Sequence, residues 1–171
     1  MPAGTDPDTL CALLGAMEEA ALVGDVAPIV EEAARLTAAP HLAWLFAPGA
    51  LAEAALTAEV EGLGRLRGQV DRLIVTPQAV TVVDFKTNRI VPARPEEVPE
   101  GILRQMAAYR AMLQRIWPDR EARAAILWTR EARLMELPAP LLGTMLARMT
   151  AMQETERSEA EATLDALPGG P

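Results

Sequence analysis

The chain has 171 residues, half of them hydrophobic, a single cysteine and a formal net charge of −8. This length suits one domain with a real core, and one cysteine (Cys11) excludes an intramolecular disulfide. The net charge, taken whole, argues against a nucleic-acid binder, and no apolar run is long enough to span a membrane, so the expectation is a soluble cytoplasmic protein with no membrane contact.

Residues 5–23 read as a helix. Thr5 or Asp6 can cap it, Pro7 suits the first turn, and Leu10, Leu13, Leu14 and Met17 form its apolar stripe. Cys11 lies in that stripe and reads as a small buried hydrophobe. A second helix is predicted from Ala27 to Ala38, with Pro28 in its first turn and Pro40 as its stop. His41 to Phe46 is a short apolar segment before the Pro48-Gly49 turn. His41 is the only histidine, and beside proline and apolar residues it reads as structural rather than as a metal ligand. From Ala50 to Val60 the pattern becomes strand-like, with Glu53, Thr57 and Glu59 among apolar residues. Gly62 and Gly64 mark the turn that follows.

The next stretch, Gly68 to Asn88, reads as a β-hairpin: Gln69 to Thr76 is one arm, Pro77-Gln78 the turn, and Ala79 to Phe85 the other arm. Each arm carries an acid, Asp71 and Asp84. Strand side chains alternate with period two, so Asp84 and Lys86 share a face while Phe85 points away. The hairpin can bring Asp71 close to Asp84. Two converging carboxylates repel each other unless a cation lies between them, and hard cations such as Mg2+ favour oxygen ligands. A lysine beside them can hold a water or neutralise charge growing on a phosphate. Lys86 is the only lysine in the chain; every other basic residue is arginine, which cannot in practice lose its proton. The same three residues read equally well as a salt bridge at a strand end.

Thr87-Asn88-Arg89 leaves the hairpin, and Pro92, Pro95 and Pro99 mark a loop. A helix is predicted from Pro99 to Ile116, with Leu103, Met106, Leu113 and Ile116 on its core face. Gln105 and Tyr109 are four apart and share one side of it, where they can orient Lys86 or meet a phosphate backbone. After Pro118-Asp119 come two strands, Ala122 to Thr129 and Arg133 to Leu137, then a helix from Pro138 to Met152. The acidic remainder from Gln153 reads as frayed. The chain thus divides into a helical part (1–50), a core (51–152) and a flexible acidic tail (153–171).

Charge is distributed unevenly along this order. Residues 1–64 hold 10 acids and one base, residues 65–133 hold 13 bases and 8 acids, and residues 134–171 hold 2 bases and 6 acids. The positive middle coincides with the hairpin and its following helix. A local basic surface, rather than net charge, is the footprint of a nucleic-acid site, although solvated helix arginines give the same count.

An acid on the second strand, Asp-x-Lys on the third and Gln-x-x-x-Tyr on the next helix resemble the PD-(D/E)XK nuclease superfamily. More narrowly, G-Q-V-D-R-L, V-V-D-F-K-T and L-R-Q-M-A-A-Y look like the RecB-type nuclease domain at the C-terminus of AddA helicase–nuclease subunits of bacterial double-strand-break repair. The likeness covers Leu51 to Leu137. It implies an α/β fold with a restriction-endonuclease-like core, a central mixed sheet of about five strands flanked by helices. It implies that Asp71 and Asp84 bind Mg2+ (or Mn2+), with Glu53 as a further acid, that Lys86 assists the attacking water, and that Gln105 and Tyr109 support the active centre. The implied partners are DNA with single-stranded ends, a helicase portion of the same polypeptide and an AddB-like subunit. The family's upstream histidine ligand has no match, since His41 has the wrong surroundings; the chain therefore resembles a C-terminal piece that begins after that histidine. Two functions stay open: a metal-dependent DNA exonuclease domain, or a non-catalytic module of the same fold that docks a partner and guides a strand.

Overall fold

The computed structural model describes residues 27–165. The helix expected over 5–23, with Cys11, lies outside them. The chain runs through α1 (Ala27–Ala38), a 3-10 turn (Pro40–Phe46), β1 (Ala50–Val60), β2 (Gly64–Val75), β3 (Ala79–Lys86), α2 (Glu100–Ile116), β4 (Glu121–Trp128), β5 (Arg133–Glu136) and α3 (Ala139–Asp165). The strands form one sheet in the order β1-β2-β3-β4-β5. All neighbours are antiparallel except β3 and β4, which are parallel and joined through α2. The mixed five-stranded sheet with flanking helices is the expected α/β architecture.

Burial on both faces explains the composition of β3 and β4. In β3, Val80 and Val82 lie in the larger core beneath α2 and α3, with Leu103, Met106, Met112 and Leu142. Val83 points the other way, to a smaller core built from Leu36, Leu42 and Leu45 of α1 and its following turn. A parallel pair buried on both sides needs apolar residues at nearly every position, and V-T-V-V and A-A-I-L-W supply them. α2 begins just after Pro99, whose fixed φ and missing N–H fit a helix start. Glu100 in its first turn and Arg115 in its last complement the helix dipole.

Two elements extend further than their sequence predicts. β2 starts at Gly64 rather than Gln69 and pairs with β1 from Val60↔Gly64 to Ala50↔Ile74. Its first half, R-L-R-G-Q, has little apolar signal of its own; pairing with β1 fixes it. Gly62 and Gly64 close this hairpin with φ of 77° and 71°, a left-handed conformation that costs glycine least. The last helix, expected to stop at Met152, continues to Asp165. Residues 151–160 are exposed, so alanine and glutamate propensity carries this stretch rather than packing. Among the described residues, no helix is long and apolar enough to cross a membrane.

Candidate active site

The site forms where the β2–β3 hairpin opens. At its closed end, Pro77-Gln78 is a two-residue turn: Thr76 N–H donates to Ala79 O at 2.9 Å, and Ala79 N–H donates to Thr76 Oγ1 at 3.0 Å. The ladder runs from Val75↔Val80 to Arg72↔Val83 and stops. One further step would pair Asp71 with Asp84. Instead, Phe85 N–H donates to Asp71 Oδ2 at 2.6 Å, so a carboxylate takes the place of a backbone acceptor.

A slip in strand alternation turns the backbone here. Val70 and Leu73 are three apart, yet both are buried in the larger core. Parity therefore changes between them, at Asp71 and Arg72. Arg72 lies on the opposite face, its guanidinium 5.5 Å from the Phe46 ring centre and 5.6 Å from that of Phe85. Cation–π contact of this kind holds the strand in its shifted register.

Asp84 is 4% exposed, one of two buried polar or charged residues among those described. Burial pushes its carboxyl above the usual carboxylate range; Lys86 opposes that shift, and the nearby charge of Asp71 adds to it. Lys86 Nζ lies 2.5 Å from Asp84 Oδ2. The Lys86 ammonium is thus the partner of that buried oxygen. Alternation on β3 places the pair on one face, as expected, and Phe85 on the other, with Phe46.

A relay leads from Lys86 into α2. Lys86 Nζ donates to Gln105 Oε1 at 3.0 Å, Gln105 Nε2 donates to Tyr109 OH at 3.1 Å, and the Tyr109 hydroxyl donates to Gln69 O at 2.8 Å. The i,i+4 spacing puts Gln105 and Tyr109 on one side of the helix. The relay thus ties β3 through α2 back to β2, two residues before Asp71.

Asp71, Asp84, Lys86, Gln105 and Tyr109 therefore form one constellation. Glu53 is exposed on edge strand β1, with φ of 50°, and lies across from Asp71 in the gap between Ala52↔Arg72 and Ala54↔Val70. Among the described residues, no three His, Cys, Asp or Glu side chains gather as a metal-binding group. The donor set present is two carboxylates. It fits a hard divalent cation that takes one or two carboxylates and completes its shell with waters and phosphate oxygens. The charge of Asp71 acts on the buried Asp84 carboxyl, and a cation between the two would relieve that repulsion.

Sequence reasoning missed several supports. Thr129, buried at the end of β4, donates from Oγ1 to Lys86 O at 3.3 Å. Arg130 donates to Thr87 O at 2.9 Å, and Arg35 of α1 donates to Arg130 O at 2.9 Å. These bonds brace the β3 exit against the β4–β5 turn and α1. Only the parallel register, with Lys86 beside Trp128, reveals them. His41 serves the same turn: its Nε2 is 2.9 Å from Ala132 O, a structural tie. A cavity of about 670 Å³ lies at the hairpin-turn end beside Thr76, Thr81 and Glu121, and another of about 740 Å³ lies under the loop from Asn88 to Ala93. Neither is lined by the carboxylate pair.

Comparison with known proteins gives one family. The family model of the PD-(D/E)XK nuclease superfamily matches residues 2–168. No curated protein matches the chain.

Proposed function

We propose, from the premise that the chain belongs to the PD-(D/E)XK nuclease superfamily, that it hydrolyses phosphodiester bonds of DNA at the Asp71–Asp84–Lys86 site. The observation that carries this is Asp84: a carboxyl kept buried where the β2–β3 ladder stops, with the charge of Asp71 near it and the chain's only lysine against its oxygen. A structural ion pair needs no such arrangement, because burying two charges is seldom better for stability than apolar packing.

Asp71 and Asp84 would hold Mg2+ or Mn2+. When bound, the cation supplies positive charge that polarises a phosphate and makes a water more acidic. The residues of the chain do the rest. Lys86 keeps an ammonium beside the point where negative charge grows on the phosphate, and stabilisation of that kind counts most in a dry, preorganised site. Gln105 and Tyr109 hold that ammonium in place. Asp71 fixes the hairpin opening through Phe85 N–H. Arginines on the loop after β3 and the β4–β5 turn, Arg89 and Arg130, give the strand a basic border.

The finer reading is an exonuclease domain at the C-terminus of an AddA-type helicase–nuclease, acting on single-stranded ends beside an AddB-like subunit. Its support is the order and spacing of G-Q-V-D-R-L, V-V-D-F-K-T and L-R-Q-M-A-A-Y. A second reading, a non-catalytic docking and strand-guiding module, draws on the absence of a three-ligand group among the described residues. Cleavage of an end-labelled single-stranded oligonucleotide with Mg2+ or Mn2+ separates them. Asp84→Asn is expected to lower cleavage about a thousandfold or more, the scale of losing the main charge-stabilising element of a site, while leaving the fold intact. Oligonucleotide binding without cleavage by the wild-type chain, unchanged in Asp71→Asn and Asp84→Asn, would favour the docking module.

A further inference from the structure

The Lys86–Gln105–Tyr109 relay ends on β2, and the residue beneath its last ring is a glycine. Gly68 pairs with Leu56 in the β1–β2 ladder, where an apolar side chain would ordinarily sit. A Cβ built there would lie 2.5 Å from Tyr109 Cε1, 3.4 Å from Cδ1 and 3.5 Å from Met112 Cε. The first distance is far inside van der Waals contact. Glycine is not needed here for its backbone, because the positive-φ glycines of the described residues are Gly62 and Gly64 alone. Gly68 is glycine for space.

The ring that fills this space has little room to yield. Tyr109 is 7% exposed, lies in the main core with Met106 and Met112, and its hydroxyl is anchored on Gln69 O, the carbonyl next along the strand. Nearly the whole tyrosine is thus fixed by two consecutive residues of β2: Gly68 seats the ring and Gln69 holds the oxygen. From that fixed oxygen the relay passes to Gln105 and on to Lys86 Nζ. A displacement of the ring by even about 1 Å would break the tyrosine–carbonyl bond or draw Gln105 away from the lysine, and errors of that size in a reacting group cost about a hundredfold in rate.

We infer that Gly68 is a positioning residue for Lys86, acting through Tyr109 and Gln105. The inference rests on the proposed nuclease reading only for what the ammonium is positioned to do; the positioning itself is read without any cleavage.

Because Lys86 is the only lysine, lysine labelled with carbon-13 at Cε gives a single NMR signal that reports on the carbon bearing this ammonium. Gly68→Ala is expected to displace that signal in the same direction as Tyr109→Phe and Gln105→Ala. Gly101→Ala, a glycine of α2 with open space around its α-carbon, should leave it in place. The double variant Gly68→Ala, Tyr109→Leu removes the clashing ring and should recover thermal stability lost in Gly68→Ala, while the lysine signal stays displaced because the hydroxyl is gone. A folded Gly68→Ala with an unmoved lysine signal overturns the inference. So does a Gly68→Ala that unfolds and is not rescued by Tyr109→Leu, since the clash would then lie elsewhere. Cleavage by the wild type against Asp84→Asn decides the nuclease reading separately, whichever way the lysine signal moves.

Discussion

The two ends of the β2–β3 hairpin use the same pair of strands for opposite purposes. The closed end is satisfied: Thr76 and Ala79 exchange backbone and side-chain hydrogen bonds, Val75 pairs with Val80, and Leu73 with Val82. The open end leaves polar atoms in need. The ladder stops one step short of Asp71 and Asp84, and a carboxylate substitutes for a carbonyl. The buried Asp84 carboxyl faces the charge of Asp71, and Nε1 of Trp128, the neighbour of Lys86 in the parallel register, is buried without an acceptor. Buried polar groups of this sort each cost stability. A fold tolerates them where function requires them, and the closed end and the cores on both faces supply the compensating burial. The lesson is that a functional site can be located by where a regular element stops satisfying itself.

That contrast breaks in graded ways. The largest stability effect belongs to the satisfied region. Leu73→Ala removes a buried side chain from the larger core and is expected to cost about 2–5 kcal/mol in unfolding free energy. Its metal affinity should stay at the wild-type level in chemical denaturation and titration run side by side; a loss of affinity in the folded variant would mean the two ends are not separable.

A smaller effect, of opposite sign, belongs to the open end. Burial raises the carboxyl of Asp84, so the folded state holds its proton more tightly than the unfolded chain does. Below the unfolded value the aspartate is protonated in both states and costs nothing as a charge. As pH rises through the folded value, stability is lost, by up to about 1.4 kcal/mol per pH unit across the window between the two. Asp84→Asn has no such loss. Without metal, thermal melts taken upward in pH from the ordinary aspartate range should show the variant gaining on the wild type as pH rises. A constant difference would mean that Asp84 is comfortably ionised and that the open end carries no cost.

The smallest effect lies on the border. Arg89 is exposed on the loop that leaves β3, and Arg89→Ala should weaken oligonucleotide binding modestly for all sequences. The slope of log affinity against log salt should fall by about one. An unchanged slope would remove Arg89 from the strand's path.

The sequence made the placement of the candidate side chains more legible than the elements around them. Asp84 and Lys86 two apart on a strand, and Gln105 and Tyr109 four apart on a helix, are local periodicities, and local geometry decides them. Strand alternation also placed Phe85 on the opposite face. What the sequence hid is set by distant partners. The first half of β2 takes its conformation from β1, residue against residue. The reach of α3 to Asp165 follows a helix-forming but unpatterned stretch that no apolar stripe announces. Thr129 and Arg130 join the site only because β4 runs parallel to β3. Gly68 was visible as a residue of G-Q-V-D-R-L, but its role required the position of a ring from α2.

The central claim is that the open end of the hairpin is a divalent-cation site built on Asp71 and Asp84. Calorimetric titration of the chain with Mg2+ and with Mn2+, wild type against Asp84→Asn, tests it most directly. Saturable binding by the wild type that disappears in the variant is the predicted result. Binding that survives in Asp84→Asn, or none by the wild type, would contradict the claim and leave the buried Asp84–Lys86 pair as a structural ion pair.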